Sequence, residues 1–312
     1  MTEQNLNLKV DYRTNEKLKA QKTAIFAGKA GIYIFLTIMA LMIIIPFYWM
    51  LNVSLQSTDE VLNSLNVSLF PKVFSPKNYI NVFFYESSTA KISFPRYLTN
   101  TLVVAVFSTI GGTIFSILVA FALSRLNFKG RELIFSILLA TMMIPGEMMV
   151  ISNFVTVAKL GWADSQGIGS YLAMIVPFMV SIFHIYLLRQ NFKQIPNELY
   201  YAAKIDGCGD FKYLTKVMVP MAKSSIITIV ILKLMGTWNA YIWPNLVAHE
   251  EYRLVTTWLR GSFVDQAESG VGRPLLNYQM AATVLVTVPL LLLFIFFRKY
   301  IMSGVSRSGV KG

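Results

Sequence analysis

Long apolar stretches separated by short polar segments dominate this chain. A helix of about 20 apolar residues is long enough to cross the hydrocarbon core of a bilayer. We predict a membrane-spanning helix in each of six stretches: Gly31–Asn52, Thr99–Leu123, Leu133–Val157, Ile168–Leu188, Ser224–Val247 and Tyr278–Phe297. Proline interrupts most of them, which membrane helices tolerate when neighbouring groups satisfy the freed carbonyls. The pattern therefore predicts an all-α integral membrane protein with six transmembrane helices.

The composition supports this prediction. Of the 312 residues, 55% are hydrophobic and only 14% are charged, whereas about 25% are charged in a soluble domain. So few polar side chains cannot cover a water-facing surface, and lipid is the expected surrounding. The first stretch could instead be a signal peptide, but its apolar run is too long, so an uncleaved helix is predicted.

The basic residues predict the orientation. Of the 28 Lys and Arg residues, 19 lie in the N-terminal segment, the connection between the second and third spans, the connection between the fourth and fifth spans, and the tail. Eight lie in the other connections, and Lys233 lies inside the fifth span. Cytoplasmic loops carry the excess of Lys and Arg. We therefore predict cytoplasmic segments over 1–30 and 301–312 and a membrane domain over 31–300. Because the basic residues flank apolar runs and form no single patch, nucleic acid is not an expected partner.

Several kinds of chemistry are excluded by motif. Cys208 is the only cysteine, so no disulfide can form within the chain. The sequence has two histidines, with no HExxH zinc motif and no G-x-x-x-x-G-K-[ST] phosphate loop. No span carries a convergent nucleophile and base. We therefore expect neither catalysis, nor a bound metal, nor a cofactor in this chain.

The connection over 191–223 is much longer than a helix hairpin needs. Pro196 and Asn197 predict a helix start, with the asparagine as a possible cap, and Gly207 and Gly209 predict its end. Asp210 is a possible cap for a second helix. The apolar side of that second helix is predicted from residues at helical spacing: Phe211, Leu214, Val217 and Met218.

Two interpretations of this loop remain open from its residues. It can be a pair of amphipathic helices lying on the membrane surface, or an element that docks to another protein. Ala202 and Ala203, followed by a glycine turn, favour docking, because small side chains let another backbone approach closely.

The loop resembles the EAA loop of ABC importer permeases, whose pattern is E-A-A, three residues, Gly, nine residues, then I-x-L-P. The matching segments are Tyr201-Ala202-Ala203, Gly207 and Val217-Met218-Val219-Pro220. Tyr201 replaces the family's glutamate, although Glu198 lies one turn earlier, and Asp206 matches a variant typical of sugar importers. The resemblance implies a coupling helix that docks in a groove of the ATPase, with these docking residues: Glu198, Tyr201, Ala202, Ala203, Asp206, Gly207, Val217 and Pro220.

Further segments, in order along the chain, resemble carbohydrate-uptake permeases. They are Pro46-Phe47-Tyr48-Trp49-Met50, Phe70-Pro71, Asn78-Tyr79, Met143-Ile144-Pro145-Gly146, Gly236-Thr237-Trp238-Asn239, Trp243-Pro244 and Gly309-Val310-Lys311-Gly312. The resemblance implies a type I ABC importer permease in a bacterial plasma membrane. It also implies four kinds of partner: a second permease, usually a different chain, an ATPase dimer that binds ATP and Mg, an external solute-binding protein, and a sugar substrate.

Polar side chains within the spans are candidates for the substrate pathway, because such groups usually face a pore or a partner. Lys233 lies about nine residues into the fifth span, roughly 14 Å deep, and Glu147 follows Pro145-Gly146 in the third. The alternative is a buried Lys233–Glu147 ion pair, or polar contacts with the second permease. Trp238 and Asn239 are candidates for sugar contact, with the interfacial aromatic belt as the alternative.

His184 is a weaker candidate for the pathway, because it lies late in the fourth span and can reach the cytoplasmic interface. The segment His249–Asn277 is expected outside, where it could contact a binding protein or simply be solvated. A permease for a polyol or glycerol-phosphate, and an ion-coupled carrier or channel, remain alternative functions. The absence of an internal repeat weakens the carrier.

Overall fold

The computed structural model describes residues 3–63, 68–85, 92–261, 263–265 and 273–306. The α-helices are α1 (Glu3–Ser54), α2 (Thr58–Asn63), α3 (Lys77–Phe83), α4 (Phe94–Arg125), α5 (Arg131–Thr141), α6 (Val150–Lys159), α7 (Ile168–Ile175), α8 (Ile182–Lys193), α9 (Asn197–Ile205), α10 (Asp210–Tyr213), α11 (Val219–Met221), α12 (Lys223–Trp238), α13 (Ile242–Val247), α14 (Val255–Gly261) and α15 (Leu276–Ser306). Short 3-10 helices cover Gly146–Met149, Val176–Phe178 and Glu250–Tyr252, and a π-helix covers Leu214–Met218. Two strands, β1 (Val264–Asp265) and β2 (Arg273–Pro274), pair antiparallel.

The long helix α4 lies at the centre of the bundle. It packs against α8 and α12, while α15 packs against α1, α12 and α3. One core cluster surrounds Trp258 near the start of α4, and a second surrounds Phe192 and Tyr213 near its end. We refer to the end of the bundle that carries Arg125 and the loop 191–223 as the coupling end.

The outside of the bundle is strongly apolar. Large hydrophobic side chains along α1, α4 and α15 are exposed, and a surface of this kind needs lipid or a protein partner around it. Three helical segments are long and apolar enough to cross a membrane: Ile25–Ser54, Phe94–Arg125 and Leu276–Lys299. Three bent helix pairs also qualify if each pair is counted as one span.

The remaining predicted spans are broken, at or near prolines that the sequence had marked as interruptions. The third turns by 91° between Thr141 and Gly146, and the fourth turns by 51° between Phe178 and Ile182. Pro145 and Pro177 lie at these breaks, because proline lacks an N–H and restricts the residue before it. The fifth was predicted to continue to Val247, but α12 ends at Trp238.

The end of α12 has a local cause. Asn239 caps the helix, and its side-chain amide donates to the carbonyl of Met235 at 2.9 Å. Pro244 then lies in the first turn of α13, where its missing N–H costs no helical hydrogen bond. The chain therefore restarts as a separate helix after residues 239–241.

The two ends of the chain are helical within the described residues. α1 is continuous through residue 30, so no break marks the predicted boundary of the N-terminal segment. α15 continues to Ser306 past the predicted boundary at residue 300. The predicted tail motif Gly309–Gly312 lies outside the described residues.

Candidate coupling loop and translocation cleft

The helix α9 forms an exposed tip at the coupling end. None of its residues is buried, and bulky apolar side chains stand on its surface and on the next turn. Ile205 is 87% exposed and Phe211 is 72% exposed. An apolar surface of this kind marks a site that contacts lipid or another protein.

The eight predicted docking residues lie at or near this tip, and most are accessible. Those exposed are Glu198, Tyr201, Ala202, Asp206, Gly207 and Pro220, and those partly buried are Ala203 and Val217. Their predicted role in binding an ATPase stays a prediction, while their exposure is compatible with it.

Arg125, the last residue of α4, holds the start of α9. Its guanidinium is buried and donates to the carbonyl of Phe192 at 2.5 Å, to the carbonyl of Ile195, and to the side-chain oxygen of Asn197. The prediction that Asn197 caps α9 is therefore wrong. Pro196 occupies the cap position, and the asparagine amide accepts a hydrogen bond from Arg125 instead.

Arg189 makes a second connection at the coupling end. Its Nε donates to the carbonyl of Leu123 at 3.0 Å, and its Nη2 lies 2.8 and 2.7 Å from the two oxygens of Glu132. The same guanidinium lies 3.7 Å from the centre of the Phe135 ring. These contacts fasten α8 to α4 and α5. In the sequence, both arginines appeared only as charges at the ends of apolar runs.

The turn after α9 has the conformation predicted from its glycines. Gly207 has a φ of 73°, a left-handed conformation that glycine adopts without steric cost. The N–H of Cys208 donates to the carbonyl of Ala203 at 2.8 Å. A β-carbon added at Gly207 would meet no atom within 4 Å, so a larger residue there strains the backbone without a clash.

Asp210 was predicted to cap the second helix, and this is wrong. Gly209 is the cap residue, and the Asp210 carboxylate accepts from the Tyr200 hydroxyl and lies next to the Lys204 ammonium, both at 2.7 Å. The hydrogen bond to Asp210 raises the pKa of Lys204 above its usual value. Both side chains are partly exposed, and such a pair contributes little to stability, so its main effect is to close the turn.

The predicted apolar side of the second helix is correct for three of its four residues. Leu214 and Met218 are buried and Val217 is partly buried, whereas Phe211 is exposed. Tyr213 is buried in its place. The wide π turn over Leu214–Met218 changes the register of the helix. It precedes Pro220, which cannot donate a backbone hydrogen bond.

Lys233 lies in α12 beside a cleft of about 390 Å³. Its side chain is buried, and its ammonium donates to the carbonyl of Met179 at 2.7 Å. This carbonyl lies at the break between Val176–Phe178 and α8, where the chain forms no regular helix. Gly112 of α4 makes the approach possible, because a β-carbon there would lie 1.8 Å from the Lys233 nitrogen and 2.4 Å from the Met179 oxygen.

Three other predicted pathway residues, Glu147, Trp238 and Asn239, do not line this cleft. Glu147 is exposed on the 3-10 helix Gly146–Met149. The alternative of a buried Lys233–Glu147 pair does not hold, because Lys233 bonds to Met179 and Glu147 is not buried. His184, the weaker candidate, does line the cleft.

Trp238 lies inside the protein core. It is only 4% exposed, and its Nε1 donates to the carbonyl of Val286 at 3.3 Å. Asn239 is exposed, with its amide bonded to Met235. Sugar contact by these two residues stays a prediction, and for Trp238 it requires another conformation of the bundle.

The segment after α13 packs onto the bundle at the end opposite the coupling end. The buried Asn100 amide donates to the carbonyls of Glu251 at 2.8 Å and Arg253 at 3.2 Å. The Arg260 guanidinium lies 4.1 Å from the centre of the Tyr241 ring. This part of the predicted external loop is therefore folded against α4 and is more than a solvated connection.

The exposed apolar surfaces of long helices define a helical integral membrane protein. The chain belongs to the family described as "binding-protein-dependent transport system inner membrane component", whose model matches residues 112–307. Within this class it is similar to the arabinooligosaccharides transport system permease protein AraQ of Bacillus subtilis, with 30% identity over 91% of this chain and 96% of AraQ.

The fold also matches solved structures. One is a bacterial ABC transporter involved in the import of the acidic polysaccharide alginate, with a TM-score of 0.73 and 25% identity over 86% of this chain and 94% of that chain. A second is a bacterial alginate ABC transporter in complex with a periplasmic protein, with a TM-score of 0.59 and 15% identity over 84% of this chain and 91% of that chain. The recognised resemblance to ABC importer permeases is thereby confirmed.

Proposed function

We propose that the chain is one permease subunit of an ATP-driven importer, which moves a sugar or oligosaccharide across the bacterial plasma membrane by alternating access. The support is the family match together with the carbohydrate cargoes of similar proteins, arabinooligosaccharides for AraQ and alginate for the structural relative. A permease for glycerol-phosphate remains an alternative, because the chain is also 28% identical to an sn-glycerol-3-phosphate transport system permease protein. A carrier or channel that works alone lacks such support.

The proposed topology has six spans with both termini in the cytoplasm. Two of the bent pairs, Arg131–Thr141 with Gly146–Lys159 and Ile168–Phe178 with Ile182–Lys193, are each counted as one crossing. In the third pair, the arm Asp210–Met221 is assigned to the cytoplasmic loop. Its exposed Lys212 and Lys216 would be costly inside the hydrocarbon, and α12 with α13 supplies the fifth span. The excess of Lys and Arg then lies on one side, as expected for cytoplasmic loops.

The coupling role rests on one observation: an exposed helical tip is fastened to the central membrane helix by a buried charge. α9 offers apolar side chains to a partner, and Arg125 joins its start directly to the end of α4. A push on α9 is therefore transmitted to the helix that packs against α8 and α12. The cleft beside α9, about 500 Å³ and lined by Arg125, Arg131 and Lys193, suits an acidic partner surface.

The proposed assembly contains a second permease, a different chain, together with an ATPase dimer and an external solute-binding protein. The ATPase dimer binds ATP and Mg and supplies the energy, since this sequence has no phosphate loop. The binding protein delivers the sugar at the end opposite α9. Membrane lipid surrounds the remaining apolar surface.

The coupling role is tested by Gly207→Val. A β-branched residue in a left-handed conformation costs about 1–3 kcal/mol, and here it would distort the turn that shapes α9. We expect normal membrane insertion, loss of ATP-driven sugar uptake and weaker co-purification of the ATPase. The measurement is uptake in a deletion strain together with ATPase recovery from a tagged chain.

Gly161→Val is the matched control. Gly161 also has a positive φ, 70°, with no atom within 4 Å of an added β-carbon, but it lies after α6 on the proposed outer side. Valine at this position imposes similar backbone strain away from the α9 tip, so sugar uptake should persist. Normal uptake by Gly207→Val would refute the docking role. Transport by the purified chain without any ATPase would favour an independent carrier.

A further inference from the structure

The cleft beside α12 has a mixed lining, in which apolar residues such as Phe178, Val180, Leu232 and Pro244 form much of the wall. Its lining includes the polar side chains Ser108, Ser181, His184, Lys233, Thr237 and Trp243. It lies between α4, α8 and α12, near the middle of the proposed fifth span. Polar groups are rare at this depth and usually face a substrate or ion pathway.

Lys233 is a positive charge with a neutral partner. It is only 6% exposed, and none of the ion pairs within the described residues involves it. An ammonium has three N–H donors, and the hydrogen bond to the Met179 carbonyl uses one of them. A buried charge is costly unless an opposite charge compensates it.

The surroundings hold this ammonium in place. Gly112 leaves room for it against α4, and the Met179 carbonyl fixes its nitrogen from the other side. The Trp243 ring is also held, because its Nε1 donates to the carbonyl of Ala173 at 3.0 Å. A fixed cation, hydroxyl groups and an aromatic side chain therefore line one small cleft.

We propose that this cleft receives the carboxylate of an acidic sugar, a uronic acid unit, with Lys233 as its counter-charge. The inference rests on the proposed function and specifies its substrate class. A carboxylate would accept from the free N–H groups of Lys233, while Ser181 and Thr237 hydroxyls suit the sugar's own hydroxyl groups. A neutral sugar would leave the buried charge uncompensated.

The test uses the complete importer, with its partner subunits and binding protein, reconstituted in proteoliposomes. Uptake of radiolabelled trigalacturonate is compared with uptake of arabinotriose. For Lys233→Met we expect trigalacturonate uptake to fall at least about tenfold, the ratio for losing one hydrogen bond between charged groups, with arabinotriose uptake changed less than about twofold. Lys233→Arg should retain most trigalacturonate uptake.

Lys223→Met is the control, because Lys223 is an exposed residue at the start of the same helix. It should leave uptake of both sugars unchanged. The affinity of the binding protein for each sugar is measured separately, since that protein selects cargo before it reaches the cleft.

The outcomes separate this inference from the proposed function. Uptake of arabinotriose without any uptake of trigalacturonate overturns the inference and leaves the sugar importer standing. An equal loss of both sugars in Lys233→Met also overturns it, because Lys233 would then act structurally or pair with the second permease. If the unmodified importer takes up neither sugar, the inference is overturned, whereas the proposed function, which names no particular sugar, is decided by the Gly207→Val test.

Discussion

The guanidinium of Arg125 lies between the end of α4 and the start of α9, and its removal should loosen the coupling loop. In Arg125→Met, the carbonyl of Ile195 loses its donor, and a buried oxygen left unpaired costs about 1–3 kcal/mol. The carbonyl of Phe192 loses one of two donors, since it keeps the N–H of Ile195 at 3.2 Å. We expect hydrogen exchange over residues 192–205 to become about tenfold faster in the purified complex, with ATPase coupling reduced.

Arg131→Met provides the comparison for Arg125. Arg131 lies on the same surface but bonds to Leu126 and Glu132 rather than to the α9 segment. Exchange over 192–205 should therefore stay close to that of the unmodified chain. Equal acceleration in both variants would show that net charge, and not the hydrogen bonds of Arg125, holds the loop.

Single residues also show what the sequence can and cannot reveal. Gly207 was predictable, because a glycine after a short helical pattern indicates a left-handed turn. Arg125 and Arg189 were not, because their partners lie 57 to 72 residues away along the chain. Lys233 was flagged by its depth in an apolar run, but its partner, the Met179 carbonyl, became available only through a helix break.

The crossing of α4 with α8 and α12 depends on one small residue. Gly112→Ala places a β-carbon 2.4 Å from the Met179 backbone oxygen, and backbone cannot move aside as a side chain can. Overpacking of this kind costs about 1–3 kcal/mol. We expect a clearly lower thermal midpoint for the purified complex, and displacement of the Lys233 ammonium.

The neighbouring glycine is a close control for this crossing. An alanine β-carbon at Gly111 would meet only the flexible end of the Met179 side chain, at 3.0 Å. Gly111→Ala should therefore lower the midpoint less than Gly112→Ala. Equal midpoints for the two variants would mean that the helices separate without cost at this point.

At the scale of helices, apolar length predicted where the long helices α1, α4 and α15 lie, and proline predicted where several of the other stretches would be interrupted. Neither predicted how sharply they bend, since the 91° turn after Thr141 and the π turn before Pro220 depend on tertiary packing. The end of α12 at Trp238 was missed for a different, local reason. A side-chain bond from Asn239 decides it, and apolarity alone does not register such a bond.

For the whole molecule, the bent pair α5 and Gly146–Lys159 is where the topology is most open to test. At 1.5 Å per residue its arms measure about 16 and 21 Å, so with a right-angle bend its ends lie roughly 26 Å apart. This is close to the roughly 30 Å of hydrocarbon it must cross. Length alone therefore permits either a single crossing or a re-entrant loop that returns to the same side.

Labelling with a membrane-impermeant maleimide separates these two topologies. Cys208 is the only cysteine, so Cys208→Ala gives a background in which one introduced thiol reports one position. Lys159 is exposed at the end of α6, and we expect Lys159→Cys to react in intact cells with the outer membrane permeabilised where one is present. Lys129→Cys, before α5, should react only in inside-out vesicles. Reaction of both positions from the cytoplasmic side alone would make this pair re-entrant and would reverse the sidedness proposed for the helices that follow.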